Sequence, residues 1–162
     1  SSEGMLKLWQ VANDQGLVVE LMPYPRSPDP KFIQEIGRLA DQFPKAKIVL
    51  DHCDWPAAEG APSYGIDDSY AALAKHHNVY LKFTTENFER LKFDVALTQG
   101  LVGQLVKVFG ANHVMWGSDA GNTMMDYSTM VGYALAATSQ LSSAERQDVL
   151  ASTGRAVFSV TR

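Results

Sequence analysis

A chain of 162 residues, 46% hydrophobic and 20% charged, has the composition of one soluble globular domain spanning 1–162 and long enough to bury a core. Its formal net charge of −4 argues against a nucleic-acid binder or a polybasic membrane-surface protein, and a single cysteine, Cys53, excludes an internal disulfide framework and a Cys-rich zinc site. No apolar run reaches membrane-spanning length and no signal-peptide pattern is present, so no membrane partner is expected and the cytoplasm is the expected compartment.

The chain opens Ser1-Ser2-Glu3-Gly4 without an initiator methionine, which reads as a processing boundary. Met5, Leu6, Leu8, Trp9 and Ala12 then recur at helical spacing, and Gly16 stops them as a C-cap glycine would. Leu17–Met22 reads as a buried strand, broken by the proline-rich stretch from Pro23 to Pro30. Lys31–Phe43 is a second helix, with Phe32, Ile36, Leu39 and Phe43 on one face. The strand 47–52 ends on His52, and a Gly-, Pro- and Ala-rich loop follows from Asp54 to Gly65. Asp67 or Asp68 caps a helix reaching His77, and Asn78 turns the chain into the strand Val79–Thr84. A loop and a helix lead through Leu101, Leu105 and Val108 to Gly110, and the strand 113–118 delivers Asp119. Helices near 127–138 and 143–151 complete the series.

Strand and helix thus alternate four times, which implies a parallel α/β sheet with right-handed crossovers, its strands neighbours in sequence order. Two of those strands matter most. Ile48-Val49-Leu50-Asp51-His52 and His113-Val114-Met115-Trp116-Gly117-Ser118-Asp119 are apolar runs tipped by groups able to do proton chemistry. The C-terminal tips of parallel strands are where α/β folds bind ligands, so His52 and Asp119 are expected on one active-site rim.

Four phrases in order carry a resemblance that spans essentially the whole chain. They are Val49-Leu50-Asp51-His52, His77-Asn78-Val79-Tyr80-Leu81-Lys82, Phe109 through Asp119, and Thr153-Gly154-Arg155-Ala156-Val157-Phe158. Together they resemble the C-terminal half of the amidohydrolase-related proteins, particularly the branch similar to 2-pyrone-4,6-dicarboxylate lactonase. The resemblance implies half of a TIM-like (β/α)8 barrel, its strands five to eight. It also implies a hydrolase in which Asp119 activates water and His52 polarises the substrate carbonyl. The family's strand-one His-x-His pair has no counterpart here, its strand-five histidine falls at Met22, and its usual Trp-Pro after the aspartate is Ala120-Gly121.

Elementary chemistry supports both roles. A partly desolvated aspartate beside a histidine can act as a general base near neutral pH, and a hydrogen-bond donor on the carbonyl contributes roughly 3–4 kcal/mol. His52 and Asp119 are only two ligands and a thioether is a poor third, so no metal and no other cofactor is expected. Arg26, Asn87 and Arg90 lie in loops after strands, and Tyr64 ends a loop able to cover a small-molecule substrate; these four are the candidate substrate-binding residues. By strand alternation Cys53 and Asp51 face away from His52, which makes Cys53 a buried filler and an Asp51–His52 relay unexpected. Glu20 and Lys82 share the interior parity and form a candidate internal pair, or Lys82 reaches toward Asp119. His76, His77 and His113 read as structural.

The leading expectation is a metal-independent hydrolase of a lactone or similar cyclic ester. A metal-dependent hydrolase or decarboxylase of the same superfamily is the alternative within enzymes, and a catalytically incomplete half-barrel or binding module the alternative outside them. A half-barrel exposes two strand edges, so an N-terminal half or a second copy is the expected partner.

Overall fold

The computed structural model describes residues 3–24 and 29–158. Helix α1 (Glu3–Gln15) leads to strand β1 (Val18–Leu21), α2 (Pro30–Gln42) to β2 (Lys47–Asp51), and α3 (Asp68–Leu73) to β3 (Val79–Thr84). After β3 come α4 (Thr85–Arg90) and α5 (Val95–Phe109), then β4 (Val114–Gly117). Helices α6 (Tyr127–Ala137) and α7 (Ser143–Gln147), a π-turn (Asp148–Ser152) and α8 (Thr153–Phe158) end the described chain. The strands form one parallel sheet in the order β1-β2-β3-β4. Sequential order without a switch point is the curved wall of a barrel.

Two faces follow from the two-residue strand repeat. Ile48, Leu50, Val79, Leu81, Phe83 and Val114 are fully buried against the helices, where Ile33, Ile36 and Leu39 of α2, Leu73 of α3 and Leu101 and Leu105 of α5 meet them. The stripe on α2 is therefore Ile33-Ile36-Leu39-Ala40, with Phe32 at its margin. The opposite, concave face carries Val18, Val49, Tyr80 and Met115, closed below by Val157 of α8. Lys47 anchors that helix by donating from Nζ to the carbonyls of Ala156 (3.0 Å) and Val157 (3.2 Å), where a cation suits the C-terminal dipole.

Polar groups in the core are spent on joints. Asn78 donates to the carbonyls of Ala40, Phe43 and Ala46 and so locks the α2–β2 and α3–β3 connections together. His113 bonds the Val79 carbonyl at 2.8 Å and stacks on Tyr80, and Thr153 donates to the Ala111 carbonyl. No helix among the described residues is long and apolar enough to cross a membrane.

Candidate active site at the C-terminal end of the sheet

β2 stops at Asp51, one residue before the expected end, because the Asp51 carboxylate accepts from the His52 backbone N–H at 3.0 Å and turns the chain. From there His52, Cys53, Asp54 and Trp55 all adopt left-handed backbone, with φ of 50°, 55°, 59° and 52°. Four consecutive non-glycine residues in that region store strain that the surroundings must hold. The restraints are visible. Asn87 donates from Nδ2 to the His52 carbonyl (2.9 Å) while its Oδ1 accepts from the Thr84 N–H (2.9 Å), and the Tyr70 hydroxyl donates to the Cys53 carbonyl (2.8 Å).

The turn corrects two expectations. Asp51 is still in β2 and shares the parity of Val49, so it faces the concave interior and not the helix layer; His52, which has left the strand, no longer follows the alternation, and Asp51 Oδ2 stands 3.6 Å from its Nε2. Asp51 also binds Lys82 at 3.0 Å, and Lys82 in turn holds Glu20, so of the two roles expected for Lys82 the Glu20–Lys82 pair is the one the structure forms. Cys53 is buried in the outer core.

The His52 ring is 2% exposed, stacked on Trp55 at 4.1 Å, with Nδ1 against the Thr84 hydroxyl at 2.7 Å. Burial pushes its pKa down, against the opposing pull of the Asp51, Glu86 and Asp119 charges, so the ring is neutral near pH 7. Asp54, fully buried in the same turn, goes the other way: burial, with the Asp29 charge adding, raises its carboxyl to about 7.

Asp119 follows β4 with φ 55°, in the left-handed region again. Its Oδ1 accepts from Asn122 Nδ2 at 2.8 Å, and its Oδ2 is buried with no hydrogen-bond partner. Thr85 donates to the Ser118 carbonyl at 2.8 Å and so fixes the tip of β4 against the tip of β3. The result brings His52, Asp119 and a third group, Glu86, together, with one donor atom of each within 4.8 Å of the others. Glu86 is not among the residues singled out in the sequence. Its signal was available, since it lies two residues past the end of β3, at the tip of a parallel strand like His52 and Asp119.

The other candidates separate. Asn87 is 3% exposed and committed to the His52 turn, which makes it a positioning group. Arg90 lies 5.5 Å over the Trp55 ring and lines, with Trp55, Glu86 and Glu89, a pocket of about 390 Å³. Tyr64 packs its ring against Gly100 of α5, on the outer core and not at the mouth, because the loop after Trp55 folds back over the helices. Arg26 lies outside the described residues. Met22 is exposed, and His76 pairs with Asp41 at 3.1 Å on the outer surface.

A parallel half-barrel that gathers a histidine and an aspartate at its C-terminal rim has the layout of a TIM-like barrel, whose sites lie at that end. The chain belongs to the amidohydrolase family, whose model matches residues 2–160. Among solved structures it is similar to a zinc-bound amidohydrolase from Burkholderia multivorans (TM-score 0.75, 17% identity, covering 96% of this chain and 57% of that one). It is also similar to a Pseudomonas putida protein assigned as a 2-pyrone-4,6-dicarboxylic acid hydrolase (TM-score 0.75, 23% identity, 98% and 57%). A manganese-bound dihydroxybenzoic acid decarboxylase from Polaromonas sp. JS666 is a third (TM-score 0.60, 16% identity, 99% and 55%). At these identities the likeness is one of fold. The chain spans a little over half the length of these proteins, and its four strands are the C-terminal half of a TIM-like barrel. Comparison with curated proteins gives no match. Two relatives hold a divalent metal, and a neutral imidazole with two carboxylates is a donor set that suits one.

Proposed function

We propose that this chain carries one wall of the active site of a hydrolase that opens a lactone or similar cyclic ester. The observation that carries the reading is the convergence of a buried, neutral His52 and an Asp119 carboxylate at one mouth of the sheet. Asp119 takes a proton from water as the water oxygen attacks the carbonyl carbon. With its hydrogen on Nε2, His52 donates to the developing oxyanion while Thr84 donates to Nδ1. When the ring C–O bond breaks, Asp119 returns its proton to the leaving alkoxide, so the Asp119 carboxylate is regenerated and one water is consumed in forming the hydroxy acid. A divalent cation at the same mouth would supply Lewis-acid polarisation of that carbonyl. Among the described candidates the further substrate contact falls to Arg90, with Asn87 acting only through the turn it holds. The complement that closes the barrel, an N-terminal half or a second copy, belongs to this reading as well.

Proton release from a panel of five- and six-membered lactones tests it. The expected result is turnover that Asp119→Asn lowers at least a hundredfold with the fold retained, because the amide keeps the volume and loses the base. A panel left intact by the wild-type chain paired with its barrel complement, or normal turnover by the Asn variant, would overturn it.

A further inference from the structure

We infer that Lys82 is a positioning residue for the reaction: it holds the Asp51 carboxylate back from His52 and so keeps the Nε2–H free to donate to the substrate. This rests on the proposed use of His52 as the oxyanion donor. Asp51 Oδ1 accepts twice, from the His52 backbone N–H and from Lys82 Nζ, each at 3.0 Å. With that oxygen fixed, Oδ2 stands 3.6 Å from His52 Nε2, beyond the reach of about 3.2 Å for an N–H···O hydrogen bond. The distance matters in both directions. A carboxylate this near keeps the hydrogen on Nε2 and leaves Nδ1 to accept from the Thr84 hydroxyl. A carboxylate nearer still would take that hydrogen for its own bond and leave the oxyanion without a donor.

The path of the Lys82 side chain fits it to hold this gap. Its register partners are Asp51 on β2 and Met115 on β4, and its stem leans over Gly117, where the concave face of β4 has no side chain. A Cβ at Gly117 would lie 3.0 Å from Lys82 Cδ and 3.3 Å from Cγ, so any larger residue there presses on the stem. At the far end Nζ is shared between Asp51 and Glu20 of β1. The side chain thus reaches from β4 to β1 and is fixed at both ends. Among the described residues it is the only Lys or Arg paired with Asp51. The side chains of Lys82 and Asp51 are 21% and 15% exposed, so water screens the pair weakly. A charged donor bonds a carboxylate about twice as strongly as a neutral one, and the ammonium therefore outcompetes the neutral imidazole N–H for Asp51.

Two readouts on Lys82→Met test this, with Lys7→Met, an exposed lysine of α1, as the control. NMR of the histidine ring needs no substrate. The hydrogen on His52 Nε2 is expected to move downfield in Lys82→Met as Asp51 closes on it, and to stay in place in Lys7→Met. Kinetics on an opened lactone, with the barrel complement present, are expected to show kcat lowered roughly tenfold or more and KM within about threefold, because the donor is used most in the transition state. Asp51→Asn in the Lys82→Met background removes the carboxylate that captures the ring, so resonance and kcat both return towards wild type. A lysine that only braced the strands would gain nothing from that second change. If Lys82→Met fails to fold by circular dichroism, Gly117→Ala replaces it, since it displaces the Lys82 stem with every charge retained. An unmoved His52 resonance in the folded variant, or a double variant no better than the single one, would overturn the inference. A shifted and rescued resonance with no lactone opened would leave the positioning of His52 standing and sink the proposed hydrolysis; a lactone opened by the folded variant at the wild-type rate would do the reverse.

Discussion

The Thr84 hydroxyl is the smallest part of the site with the largest leverage, because among the described residues it is the one group bonded to Nδ1 of a ring that is 2% exposed. Thr84→Val keeps the shape and removes the hydrogen bond, leaving a buried ring nitrogen unpaired. Stability is expected to fall by about 1–2 kcal/mol and turnover on an opened lactone by tenfold or more, with the histidine ring signals in NMR shifted to a different tautomer balance. Turnover within twofold of wild type would remove Thr84 from the site. Asn87→Ala cuts deeper into the fold, since it strips the His52 carbonyl and the Thr84 N–H of their partners at once; a loss of roughly 2–4 kcal/mol in denaturant unfolding is expected. At this scale the sequence was legible where a side chain's place follows from strand ends, as for His52 and Asp119. It misled at Asp51. A left-handed run of His, Cys, Asp and Trp has no glycine or asparagine to announce it, so alternation was carried one residue too far.

Elements are held in place by caps and by one ionic ladder across three strands. Glu20 of β1, Lys82 of β3 and Asp51 of β2 meet on the concave face, and Lys82→Met would leave the half-buried Asp51 and the exposed Glu20 carboxylates facing each other. A loss of roughly 1–3 kcal/mol is expected, measured by chemical denaturation and eased at low pH where the carboxylates protonate. The loop carrying Asp119 ends at the N-cap of α6, where Asp126 accepts from the Thr129 N–H and from the Ser128 and Thr129 hydroxyls. Those bonds hold its carboxyl down at about 2, below the ordinary 3.8. A folded-state value below the unfolded one adds stability above pH 4 that is lost as pH falls from about 4 through about 2. Asp126→Ala should therefore be less stable than wild type at pH 7, with the gap closing over that window; a gap constant down to pH 2 would contradict the assignment. Element boundaries were readable where apolar periods are long, as in α2 and α5. The six-residue α4 shows less than two turns of any period, and α3 ends at Leu73, short of His77, because the chain breaks into turns before Asn78. The run 143–151 is in fact α7 passing through a π-turn into α8, a change of helical pitch that hydrophobic spacing does not encode.

For the whole molecule, the question is how an open wall avoids the fate of an open wall. β1 is bonded only to β2 and β4 only to β3 among the described residues, so two parallel edges present unpaired backbone groups. Beside the β1 edge, Met5, Leu8, Val11, Leu17 and Met22 are exposed, and a shallow groove runs over Met5, Leu8, Trp9, Val19 and Leu21. In a closed barrel both features would be covered by the next strand–helix unit. The matched part is 57% of the B. multivorans protein, so the relative has further chain with which to do this. The order of the strands and the half-barrel itself were legible in the sequence, because four strand–helix units and four family phrases agree. What covers the edges was not, because closure is a contact between surfaces and leaves no local period. The expected outcome for the purified 162-residue chain is association: a light-scattering mass above 17.8 kDa that grows with concentration, and strong binding of an apolar dye. A separate N-terminal half from the family should suppress both by pairing with β1 and β4, whereas a four-plus-four dimer would hold at twice the monomer mass with two His52–Asp119 sets around one mouth. A dye-silent 17.8 kDa monomer at every concentration would show that α1 and the loops shield the edges unaided, and would remove the need for any partner.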